Sequence, residues 1–241
     1  MIRCRKGGRS SASCARDIRT SLTSAKNAKE TNTILGSKPS TFFGSVCSTV
    51  LLCLIVLWPL PADAQGWTIP ETSSDLGTFA LGFISGLGGH ELGHYVVARA
   101  KGYKTSLDGL SIVYPGANLA GADQLQVASA GFQAQWLMSE IALRDSSGRE
   151  LKTPPGNFAA GVVCAHLGIS LAYLTFLKNN KQGDVYGMSQ ATGYSTSRIA
   201  TVLAIPAALD AWRLFGNDVP EWVPQVSLLG KGLGMVWVWT Y

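Results

Sequence analysis

Charge is scarce in this chain. Asp, Glu, Lys and Arg make up 15% of its 241 residues against 46% hydrophobic, where soluble domains carry about a quarter. The balance favours a membrane class over a soluble one. Nor can cysteine staple a core: Cys4, Cys14, Cys47 and Cys53 all precede residue 64, and Cys164 stands alone in an apolar run. No internal disulfide is therefore expected between residues 65 and 241. A basic surface is missing as well. Residues 1–41 hold nine Lys or Arg against Asp17 and Glu30, a net +7, and the remaining 200 residues hold eleven basic against thirteen acidic, a net −2. The chain's overall charge of +5 thus comes from its tail, and nothing in the rest points to nucleic acid as a partner.

The tail leads into Val46 to Leu60 (VCSTVLLCLIVLWPL) and then Pro61-Ala62-Asp63-Ala64. A basic region, a short apolar region and an A-x-A pattern together describe a secretory signal. Cleavage after Ala64 is expected, with an uncleaved signal anchor as the alternative, because the apolar stretch from Thr41 to Leu60 is just long enough to span a bilayer. Residues 1–64 are accordingly set apart as leader, and 65–241 as a single transmembrane domain.

Within 65–241, five apolar segments alternate with short polar stretches: 77–98, 124–143, 158–177, 197–216 and 223–241. Together they predict an all-α membrane protein, a bundle of about four to five transmembrane helices. Arg99, Lys101 and Lys104 follow the first segment, and Lys178 and Lys181 follow the third, which places both ends in the cytoplasm by the positive-inside rule. Trp237, Trp239 and Tyr241 cluster at the end of the last, as aromatic residues do at a membrane interface. The stretch 105–119 contains a β-like piece, Leu110 to Tyr114, and predicts a hairpin or loop after the first helix. The whole reads as an integral multi-pass protein, with a bacterial inner membrane as the expected location.

The first segment ends in His90-Glu91-Leu92-Gly93-His94. Residues four apart on a helix share a face, so both imidazoles can reach one cation, and Glu91 can hold the attacking water. Two of the chain's three histidines sit in this pattern. A helix surface carrying it by accident is the alternative, but charge-bearing residues in a membrane-length apolar segment are costly and read as functional.

Catalytic zinc sites take three protein ligands and leave the fourth position open. Asp210, Glu140 and His166 are the candidates for the third. Asp210 leads, because a carboxylate within an apolar helix needs a compensating partner and Pro206 would bend that helix towards a cavity. Its competing role is an ion pair with Arg213 at i, i+3 spacing. His166 suits an interhelical hydrogen bond better than a ligand, and Glu140 ranks behind Asp210.

The combination of Gly89-His90-Glu91-Leu92-Gly93-His94 with Ile205-Pro206-Ala207-Ala208-Leu209-Asp210 resembles the site-2 protease family of intramembrane zinc metalloproteases. Ala130-Gly131-Phe132-Gln133-Ala134-Gln135 is similar to that family's Gly-Pro and Asn segment, with Phe132 at the Pro and Gln135 at the Asn. Ala211 stands where the family has Gly, and no PDZ-like insertion fits between the segments. The resemblance covers residues 77–216. It implies Zn2+ held by His90, His94 and Asp210, with Glu91 as catalytic base, hydrolysing a peptide bond in a membrane-protein segment. Two alternatives stand beside it: a non-catalytic metal-binding or scaffold membrane protein whose zinc is closed by His166 or Glu140, and an inactive relative that serves as a membrane partner.

Overall fold

A computed structural model describes residues 66–241, except Leu110. The leader, its cleavage point and the signal-anchor alternative lie outside the described residues. Six α-helices and one hairpin follow: α1 (Ser73–Ala100), β1 (Ser106–Asp108), β2 (Ser111–Val113), α2 (Gly121–Ala142), α3 (Asn157–Ala172), α4 (Asp184–Thr192), α5 (Thr196–Phe215) and α6 (Trp222–Thr240). A π-helical turn, Tyr173–Leu177, continues α3. All five apolar segments are helices within a few residues of their expected limits. The short helix α4, in the polar stretch after Lys181, was not foreseen.

Local chemistry accounts for the boundaries. The Thr72 hydroxyl accepts the Asp75 N–H at the start of α1, and Ser195 does the same for Arg198 at the start of α5, each satisfying one orphan donor. Gly193 ends α4 with φ +74°, a left-handed conformation that favours glycine. The hairpin lies where the β-like piece was expected, with Ser106 opposite Val113 and Asp108 opposite Ser111.

α1 and α3 pack backbone to backbone. A Cβ on Gly82 would lie 2.0 Å from the Phe158 carbonyl oxygen, and one on Gly161 would lie 2.1 Å from that of Phe79, so both positions require glycine. α2 also lies against α1, and α5 and α6 close the bundle. Apolar side chains gather at two levels. Leu125, Phe132, Tyr173, Val185, Ile199 and Leu203 belong to one, and Trp67, Leu143, Val163, Cys164 and Leu214 to the other. At the second level the Trp67 N–H donates to the Leu214 carbonyl at 2.9 Å.

Among the described residues, Asn157–Leu177 is the one helical stretch long and apolar enough by composition to cross a membrane. The other helices carry polar residues on their inner faces. Asp210, Lys231, Arg213 and Glu140 are all buried, while Leu81, Ile84, Leu92, Leu137, Val202, Leu229 and Leu233 are exposed.

Candidate metal centre

The C-terminal half of α1 brings His90 and His94 to one face, where both are buried. The third member of the group is Asp184, the first residue of α4. His90 Nε2 lies 2.9 Å from Asp184 Oδ2, His94 Nε2 lies 3.2 Å from Asp184 Oδ1, and the two Nε2 atoms are 3.2 Å apart. Ligands about 2.1 Å from a tetrahedral zinc are separated by roughly 3.4 Å. Each of these separations would open by about half an ångström or less to hold such an ion.

Two further observations fit a cation. The Nδ1–H of His94 donates to the Val127 carbonyl at 2.8 Å, which leaves Nε2 as the nitrogen that faces His90 Nε2 and Asp184; such a hydrogen bond to the second ring nitrogen is what orients a metal-binding histidine. Gly131 of α2 also leaves room beside the nitrogens. A Cβ there would lie 2.5 Å from the Nε2 atoms of both histidines, so even alanine would crowd the group.

Asp184 is held from behind. Its backbone N–H donates to the Tyr173 hydroxyl at 3.1 Å, and Tyr173 opens the π-helical turn, a feature often found at functional sites. The Tyr173 ring stands edge-on to Phe132 at 5.3 Å, and Phe132 edge-on to His90 at 5.5 Å. Phe132 therefore bridges Tyr173, which holds Asp184, to His90. Burial alone would raise the Asp184 carboxyl, but the charges of both imidazoles and their hydrogen bonds hold it well below the ordinary carboxylate range. The neighbouring Tyr114 hydroxyl is pushed up by burial and by the Asp184 and Glu91 carboxylates, and stays protonated.

Glu91 faces the hairpin. Its Oε2 accepts the Ile112 N–H at 2.9 Å, which ties the motif to β2. On the same side of the bundle, Lys101 and Tyr103 both reach Asp123 at 2.6 Å and join the end of α1 to the start of α2.

Asp210 has a different environment from the one expected. Its Oδ1 accepts Ser227 at 2.7 Å and Arg213 at 2.9 Å, and its Oδ2 accepts Lys231 at 2.6 Å. Glu140 accepts from Arg213, Lys231 and Arg144, and Glu150 from Arg213. Three carboxylates and three cations thus balance within the bundle. The i, i+3 pair with Arg213 is present, and Lys231, in the last apolar segment, supplies the compensation that a metal was expected to give. His166 Nε2 lies 3.8 Å from Asp210 Oδ2, outside the His90, His94 and Asp184 group, as is Glu140.

Asp184, which was not among the candidates read from the sequence, left one signal there. Lys178 and Lys181 mark the same end of the bundle as Arg99 and Lys101, and the HExxH motif lies towards that end. An acidic residue three positions after Lys181 was therefore closer to the motif than Asp210, which lies about 21 Å along α5 from its start. Compared with known proteins, the chain matches no family model, and no curated protein or solved structure is significantly similar to it.

Proposed function

We propose that the protein is a zinc-dependent, membrane-embedded peptidase of the site-2 protease type, with His90, His94 and Asp184 as metal ligands and Glu91 as catalytic base. The observation that carries the reading is the convergence of the two Nε2 atoms and the Asp184 carboxylate within one coordination sphere, with His94 already oriented by Val127. Zinc in this place supplies Lewis acidity towards a water and a positive charge facing the carbonyl oxygen under attack. Glu91 takes the proton from that water as its oxygen bonds to the peptide carbon, then passes it to the amine nitrogen as the C–N bond breaks. Gly131 leaves the space beside the histidines open, and Tyr173 and Phe132 hold Asp184 and His90 in register. The substrate is an extended or locally unwound segment of a membrane protein, since helical hydrogen bonds shield the backbone.

The membrane setting is supported by where polarity lies. Four charged side chains, Glu140, Asp210, Arg213 and Lys231, are buried between the helices, while long apolar side chains cover the outside. An apolar surface of that extent on a folded chain marks contact with lipid or partner. Asn157–Leu177 is long and apolar enough by composition to cross a hydrocarbon core.

The test is a purified chain in detergent, measured for zinc per protein and for cleavage of a model membrane peptide. Glu91→Gln is expected to keep zinc and lose cleavage, and Asp184→Ala to lose both. Zinc retained at full occupancy in Asp184→Ala would overturn the ligand set. A non-catalytic metal-holding role has one observation in its favour, the engagement of Glu91 by the Ile112 N–H. Zinc binding without cleavage in the wild type is the result that would select it.

A further inference from the structure

Between the metal group and the charged cluster lie buried polar atoms with no protein partner: His90 Nδ1, His166 Nε2, and both Nε2 and Oε1 of Gln135. Gln135 is 2% exposed and His166 is 1%. Buried polar atoms are satisfied as a rule, by protein or by ordered water. Four orphaned atoms on three residues therefore need an explanation.

Their placement supplies one. On α2, Gly131, Gln135 and Ser139 are spaced four apart and so share a face. Gly131 abuts the His90 and His94 nitrogens, and the Ser139 hydroxyl accepts Lys231 Nζ at 2.9 Å. Gln135 thus lies one helical turn from the metal group on one side and one turn from the charged cluster on the other. His166 occupies the same interval from α3. It is 3.8 Å from Asp210 Oδ2, which is itself 2.6 Å from Lys231 Nζ, and it lies within electrostatic reach of His90.

We infer that Gln135 and His166 form a buried water-binding site on the inner side of the metal group, where ordered water gives His90 the hydrogen-bond partner that the protein does not. A buried water takes two to four polar partners. Two waters therefore suffice for the atoms present: the His90 Nδ1–H and the Gln135 amide N–H donate, Gln135 Oε1 accepts, and His166 Nε2 is the remaining partner. A metal-bound histidine requires such a partner for its second nitrogen. The site also joins the metal group to the cluster around Asp210 and Lys231, and through Arg213 to Glu150, the most exposed carboxylate of that cluster. It is a polar path that runs inside the bundle, away from the Arg99 end. Its part in orienting His90 rests on the metal reading; the water site itself does not.

The experiment has two arms, both on the full chain. The first is a structure of the wild-type protein in detergent at a resolution that shows ordered water, determined with zinc and after chelation. Water within hydrogen-bond distance of the Gln135 amide and His166 Nε2 is expected in both. A dry site, or a direct protein partner for Gln135, overturns the inference. The second is the melting temperature of Gln135→Leu in zinc-free protein. If the site is hydrated, leucine takes away a partner of the water and strands His166, and the melting temperature falls by about 3 °C or more. If the site is dry, leucine removes a buried unpaired amide, and the temperature holds or rises, which overturns the inference. Because both arms can be read without metal, they can fail while the zinc measurements succeed, and the reverse.

Discussion

Gly131→Ala tests the metal centre with one methyl group. The added Cβ would lie 2.5 Å from His90 Nε2, His94 Nε2 and His90 Cε1, against an ordinary van der Waals separation of about 3.5 Å. Relief therefore needs a shift of about 1 Å between the helix and the two rings, whereas a metal site tolerates about 0.2 Å in its ligand distances. The fold has more latitude. Overpacking costs about 1–3 kcal/mol, and alanine in mid-helix returns about 1 kcal/mol, so the metal-free protein is expected to melt within a few degrees of wild type. Metal affinity is expected to fall about 100-fold, comparable to the loss of an outer-shell partner. Chelator competition measures the affinity, and a thermal melt of the metal-free protein checks the fold. Gly88→Ala is the control, because a Cβ there meets nothing within 4 Å. Wild-type zinc affinity in Gly131→Ala would refute the assignment of both Nε2 atoms to one ion.

Asp184→Asn is expected to lose zinc with little change in the melt, while Asp210→Ala keeps zinc but unfolds more easily by about 3–5 kcal/mol, because Lys231 and Arg213 lose a buried partner; metal analysis and denaturant titration of the pair measure both. Stripping zinc with a chelator is expected to lower the melting temperature of the wild type, since ion at 100 times its dissociation constant contributes about 2.7 kcal/mol, and to leave His94→Ala unchanged; calorimetry with and without chelator decides. Hydrogen bonds from Lys101 and Tyr103 hold the Asp123 carboxyl below its ordinary value. The link it makes between α1 and α2 is thus complete above pH 4 and is lost as pH falls through the depressed pKa, so Asp123→Asn is expected to flatten the acid limb of the melting curve measured from pH 5 to 3.

What the sequence disclosed follows the reach of each physical signal. Helical spacing is local, so His90, Glu91 and His94 could be placed on one turn from five letters, and the apolar periodic segments marked α1, α2, α3, α5 and α6 closely. The hairpin was legible in its β-branched core. The approach of Asp184 to the histidines was not, because it joins residues 90 positions apart and Asp184 carries no local pattern beyond an acidic residue opening a nine-residue helix. Asp210 drew attention through its setting, a carboxylate in an apolar helix, and that setting did mark a buried ionic partner. The partner was Lys231, a lone cation whose significance only the packing of α5 on α6 exposes.

The buried Asp210 and the half-buried Asp184 differ in their neighbours. Asp210 is surrounded by cations and a hydroxyl that leave its oxygens occupied, so a metal would have to displace Lys231 and Arg213 and leave both charges stranded, at a cost that no third ligand recovers. Asp184 faces only imidazoles, which become neutral donors when a metal arrives, and its main-chain N–H is already anchored by Tyr173. An ion bound there would exchange the hydrogen bonds of the group for three coordinate bonds and strand nothing. The charged cluster therefore holds α2, α5 and α6 together with its carboxylates already engaged, and on the proposed reading an ion at the histidines would leave it undisturbed. This separation is why zinc content and fold stability are expected to part company in the Asp184 and Asp210 variants.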